Sequence, residues 1–182
     1  MCYAKTVDRK YIRDEDVIRV CHYILDYIKT CDDTYRGLAR FDDFSGMSYM
    51  GSQLRPELCA DGISLEIITQ NHIYRNQGLT QAYHRIISFD RYAPVNGNDL
   101  KSLAEYLMNT IYSDFTWTYG IHMDTRHIHI HILVSAVSRS WKRFSIGNEI
   151  NRIQAICNDW YDKHCDYVSF KRKDEYLYKN LM

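Results

Sequence analysis

The sequence predicts an α+β fold: a mainly antiparallel central sheet with helices packed on one of its faces. Three observations predict it. Period-two alternation and three- to four-residue helical spacing are interspersed along the chain. No repeat, low-complexity stretch or linker composition interrupts the 182 residues, so a single domain spanning 1–182 is expected. Hydrophobic residues make up 46% and charged residues 25%, the ordinary balance of a chain with one buried core.

The elements follow in order. Residues 3–12 alternate loosely and form a first strand. From Asp14, which can cap the start, Val17, Val20, Cys21, Ile24 and Ile28 fall on one helical stripe. Residues 31–62, rich in Asp, Gly, Ser and Arg, read as a long loop with short helical pieces. "SLEIIT" (64–69) and "AYHRIISF" (82–89) read as strands on either side of the polar "NQGLTQ". "GND" (97–99) caps a helix with Leu100, Leu103, Ala104, Leu107, Met108 and Ile111 on one face. In "FTWTYGIHMD", Phe115, Trp117, Tyr119 and Ile121 point one way, and Thr116, Thr118, Gly120 and His122 the other. A turn at Asp124–Arg126 leads into the strand "HIHIHILVSAVS". A helix from about Gly147 carries Ile150, Ile153, Cys157 and Trp160, and a short strand, "DYVSF", follows it.

Composition narrows the class. There is no run of about 18 apolar residues, so no membrane span is expected. The polar start "MCYAKTVDRKYIRDED" lacks the apolar segment of a signal peptide. Six cysteines without CxxC spacing then read as reduced thiols, and the cytoplasm is the expected compartment. A net charge of zero and a pI near 7.1 count against a nucleic-acid partner unless the site itself gathers positive charge. A bound divalent cation would do so.

Residues 119–138, "YGIHMDTRHIHIHILVSAVS", hold four of the eight histidines. On a strand His127, His129 and His131 share a face, with Ile128, Ile130 and Ile132 behind them. If the preceding strand pairs as a hairpin, His122 joins them. Three imidazoles on a rigid sheet make a facial set for a divalent metal, with positions left open for substrate. Asp124 is placed to partner the second nitrogen of a ligating imidazole. Without a metal or an acid, so many buried imidazoles would leave nitrogens unsatisfied.

"HMDTRHIHIHILVS" resembles the signature of plasmid mobilisation relaxases of the HUH endonuclease superfamily. "YHRIISFD" (83–90) is similar to the family's middle motif and "VCHYILDYIKT" (20–30) to its first. The resemblance spans roughly residues 15–165. It implies an HUH-endonuclease-like fold with His122, His129 and His131 as ligands of a Mg or Mn ion. It also implies Tyr23 as nucleophile, with Lys29 and Thr30 closing the first motif. Asp124 is the motif's acidic residue, orienting His122 or taking the tyrosine's proton. His127 belongs to the same motif, while His84 and Ser88 come from the middle one and support the site or the DNA path.

The implied activity is site-specific nicking of single-stranded DNA at a transfer origin through a 5′-phosphotyrosine intermediate, with accessory mobilisation proteins as further partners. Tyr27, one turn after Tyr23, and Tyr161 in "WYDKHC" (160–165) are rival nucleophiles. The Tyr161 arrangement is the one seen in rolling-circle replication initiators of the same superfamily. Arg36, Arg40, Lys142 and Arg143 are candidate contacts to the DNA backbone. Two readings from other classes use the same histidine face: a metal-dependent phosphoesterase, and a DNA-binding relative that does not nick.

Overall fold

The computed structural model describes residues 2–30, 36–39, 56–76, 78–89, 95, 97–122 and 128–164. Its elements are β1 (Cys2–Thr6), α1 (Asp14–Ile24), α2 (Tyr27–Thr30), β2 (Arg36–Ala39), α3 (Pro56–Ile73), β3 (Ala82–Phe89), α4 (Gly97–Ile111), β4 (Phe115–His122), β5 (His129–Ser138) and α5 (Glu149–His164). The strands form one antiparallel sheet in the order β1-β3-β5-β4-β2. The α+β expectation is therefore met.

Alternation along each strand divides the sheet into two faces. Ile87 and Phe89 of β3, Trp117, Tyr119 and Ile121 of β4, and Ile130, Ile132 and Val134 of β5 join a core with Leu100, Leu103 and Leu107 of α4 and Ile153 and Cys157 of α5. The other face is covered too. Val17, Val20, Cys21 and Ile24 of α1 meet Ile63 and Ile67 of α3 in a second core that includes Leu133 of β5. The expectation that helices cover one face is corrected: the sheet is sandwiched between two helical layers.

Other readings change as well. "SLEIIT" lies inside α3, not in a strand. The buried face of that helix includes Ser64, Gln70 and Asn71, while Leu65 is 64% exposed, so the apolar period is blurred and the short run mimics a strand. Asp14 is the first helical residue of α1 and not its cap; Arg13 holds the cap position without a side-chain bond. The stripe predicted to run on to Ile28 breaks at Leu25, and α2 starts at Tyr27. Part of the expected 31–62 loop is strand β2, which pairs with β4. The predicted turn at Asp124–Arg126 and the "DYVSF" strand lie outside the described residues.

Two polar devices hold elements to the sheet. Arg85, on the α4/α5 face of β3, donates to Glu149 Oε2 from Nε at 3.0 Å and from Nη2 at 2.6 Å, and the Tyr112 hydroxyl donates to Glu149 Oε1. At the edge of β1, the Gln154 side chain accepts from the Ala4 backbone N–H at 3.0 Å and donates to the Cys2 carbonyl at 3.1 Å. Cys2, Cys21 and Cys157 are free thiols; Cys31 and Cys165 lie outside the described residues.

Candidate active site

The site forms where the inner ends of β4 and β5 meet the C-terminus of α1. His122 and His129 are direct partners across the β4–β5 ladder, and His131 is paired with Gly120. Residues 122, 129 and 131 therefore share the face that α1 covers. Their ring centroids are 4.4 Å (122–131), 4.7 Å (129–131) and 5.3 Å (122–129) apart. One nitrogen from each lies within 4.8 Å of the others, so the cluster can hold a metal ion.

Its chemistry fits a cation. Burial holds the His131 pKa far below the usual histidine range, with His122, His84, His129 and Lys29 adding to the effect. His84 is pushed down to about 4, first by burial and then by Arg85 and His122. Both rings stay neutral near pH 7, as ligation requires. His131 Nε2 is buried with no hydrogen-bond partner among the described residues, an orphan that a metal would satisfy. His122 Nε2 lies 3.1 Å from the Ile24 carbonyl. A carbonyl only accepts, so the proton sits on Nε2 and Nδ1 carries the lone pair.

The approach of α1 depends on one missing side chain. A Cβ at Gly120 would lie 2.0 Å from the Ile24 carbonyl oxygen. Glycine at that strand position lets the helix end rest on the sheet, where Ile24 reaches His122 and the preceding residue, Tyr23, reaches the cluster. The Tyr23 ring stands edge-on at 5.2 Å from both His122 and His131 and is 42% exposed. Lys29 Nζ lies 5.0 Å from the centre of the same ring. A solvent-facing phenol, a cation and three imidazoles thus meet at one spot.

The family model for the nuclease domain of MobA/VirD2-like relaxases matches residues 51–165, more than half of the chain. The chain belongs to that relaxase family. A search of curated proteins found no match. The resemblance to plasmid mobilisation relaxases is thereby confirmed, and membership implies an enzyme that nicks DNA in mobilisation. The matched residues include β3, α4, β4 and β5 of this relaxase domain, and with them all three clustered histidines; α1 and Tyr23 precede the match.

The remaining predicted site residues separate into groups. Ser88 pairs with His129 in the β3–β5 ladder, and His84 joins the cluster through His131. Tyr27 begins a separate short helix instead of continuing α1, and its side chain lies outside the described residues. Tyr161 is buried in the core on the opposite face of the sheet, among the residues packed with α4. That placement corrects its candidacy: it cannot reach the imidazoles.

Asp124, His127 and Arg40 lie outside the described residues, as does the Arg36 side chain, although the Arg36 backbone pairs with Gly120. Lys142 and Arg143 are exposed, but Lys142 is tied to Ser138 at the far end of β5, about 23 Å along the strand from His131. They do not converge with the histidines. Sequence reasoning missed the lining of a cleft of about 360 Å³ beside the cluster, where Arg9, Tyr11 and Arg19 face Tyr23, His84 and His131. Those three residues carry no motif, and the cleft forms only once the β1–α1 connection lies across β3.

Proposed function

We propose that this relaxase domain nicks single-stranded DNA at a transfer origin by tyrosine transesterification. Tyr23 is the nucleophile, and His122, His129 and His131 hold a divalent ion, Mg or Mn. The observation that carries the reading is the position of the Tyr23 ring, equally close to two of the three imidazoles and open to solvent. When bound, the ion supplies Lewis acidity, neutralising charge on the scissile phosphate and fixing its orientation.

The chain's own residues do the rest. Tyr23 Oη attacks phosphorus, the bond to the 3′-oxygen breaks, and the DNA 5′-end remains on the tyrosine while the departing 3′-oxygen takes a proton from solvent to become a hydroxyl. A phenol is a weak nucleophile until it gives up its proton. Asp124, two residues beyond His122, is the proposed acceptor, and the Lys29 ammonium, 5.0 Å from the centre of the Tyr23 ring, offsets negative charge as the attack proceeds. The described elements serve this site as one nuclease domain, since both helical layers grip the same sheet.

The test is a denaturing gel of the protein with a labelled single-stranded oligonucleotide carrying the transfer-origin sequence and Mn²⁺. A covalent adduct that vanishes in Tyr23→Phe supports the proposal. Cleavage without an adduct would replace it with a metal-dependent phosphoesterase. Retention of the strand without cleavage would replace it with a DNA-binding role.

A further inference from the structure

Behind the cluster runs a buried hydrogen-bond chain. The Tyr11 hydroxyl lies 2.8 Å from His84 Nδ1, and His84 Nε2 lies 2.8 Å from His131 Nδ1. All three residues are at most 5% exposed. Tyr11 is fixed by its backbone, whose carbonyl accepts from the Gln81 N–H at 2.8 Å and which bridges to Ala82 at the start of β3. The phenol is therefore aimed at His84 by the same strand that carries His84.

Such a chain has two polarities. In one, the Tyr11 hydroxyl donates to His84, His84 donates to His131, and the His131 proton sits on Nε2. That proton would be buried with no acceptor among the described residues, and the nitrogen could not ligate. In the other, His131 Nδ1–H donates to His84 Nε2, and His84 Nδ1–H donates to the Tyr11 oxygen. His131 Nε2 then presents its lone pair to the cluster. Only the second polarity is compatible with a metal ion.

We infer that Tyr11 and His84 are positioning residues of the metal centre, holding His131 in the Nδ1–H tautomer and fixing its ring so that Nε2 faces the ion. The inference rests on the metal site proposed above. Its two members act in series: His84 accepts the proton that frees His131 Nε2, and Tyr11 accepts from His84. Partners of this kind typically alter metal affinity by 10- to 100-fold.

The experiment is titration of the metal-free protein with Mn²⁺ alone, without DNA, reading free Mn²⁺ by electron paramagnetic resonance. His84→Leu is expected to weaken binding roughly 10- to 100-fold. His84→Gln, whose side-chain carbonyl can still accept from His131 Nδ1–H, is expected to recover most of the affinity. Tyr11→Phe deletes a single oxygen and serves where His84→Leu fails to fold; it should weaken binding about tenfold. In the Zn²⁺-loaded protein, nitrogen-15 spectra of the imidazoles should place the His131 proton on Nδ1. Affinities unchanged in both His84→Leu and Tyr11→Phe, or a His131 proton on Nε2 in the loaded protein, would overturn the inference while leaving the metal site standing. Wild-type protein that binds Mn²⁺ no better than His129→Ala would overturn the metal site itself, and this inference with it.

Discussion

Gly120→Ala should disable the site without touching any group that does chemistry. The added Cβ would lie 2.0 Å from the Ile24 carbonyl oxygen, 3.0 Å from its carbonyl carbon and 3.2 Å from its Cγ2. An ordinary carbon–oxygen contact is about 3.3 Å, so the helix end must retreat by more than about 1.2 Å. The two nearest atoms are backbone and cannot swing aside. Overpacking of this kind costs about 1–3 kcal/mol, and losing the bond from His122 to Ile24 adds about 1 kcal/mol. Together they predict a loss of about 2–4 kcal/mol, seen in urea unfolding or as a Tm lower by roughly 4–16 °C. The same retreat draws Tyr23 away from His122 and His131, so formation of the covalent DNA adduct should fall further than stability accounts for, under conditions where the variant is fully folded. A variant within about 0.5 kcal/mol of wild type that forms adduct at the wild-type rate would refute the claim that this close approach builds the site.

Other substitutions separate the two faces of the sheet. Arg85→Met leaves Glu149 charged and buried without its cation; it should cost about 3–5 kcal/mol in urea unfolding while leaving Mn²⁺ affinity intact in the folded protein. Tyr161→Phe should leave adduct formation unchanged on the denaturing gel, because that hydroxyl lies in the opposite core; loss of the adduct would reopen the rolling-circle arrangement. Lys29→Met removes the cation over the Tyr23 ring. A contact worth about 1 kcal/mol predicts a roughly fivefold slower adduct rate in a single-turnover assay, with metal binding unaffected.

Much of the sheet was legible because its apolar strand faces keep a strict period of two. β3 spans the predicted residues 82–89, and the two predicted faces of β4 are the faces observed. The second helical layer was not legible. Thr116, Thr118, Gly120 and His122 on β4, with His129, His131 and Ser135 on β5, are polar or small, so their pattern carries no apolar signal for a covering helix. In the fold all of them except His129 are buried, and that face lies beneath α1 and α3. That histidines gather here could be read from spacing, since a period of two and a hairpin bring His122 toward His129 and His131; which three would ligate was implied by the family resemblance. Tyr11 could not: the loose alternation over 3–12 places it in the first strand, whereas β1 ends at Thr6 and Tyr11 lies in the connection to α1. The one hint was His84, an imidazole on the inner face of a strand, which had to find partners for two nitrogens.

The Gln154 amide on the margin of β1 bears on how copies of this protein behave toward each other. An outer strand with unpaired main-chain groups invites another chain to add on, and this one meets a side chain already mimicking the neighbour it would recruit. Among the described residues the opposite margin is β2, Arg36–Ala39. Association through sheet extension is thus discouraged at the β1 margin, where a second copy would have to displace an amide before its own backbone could pair.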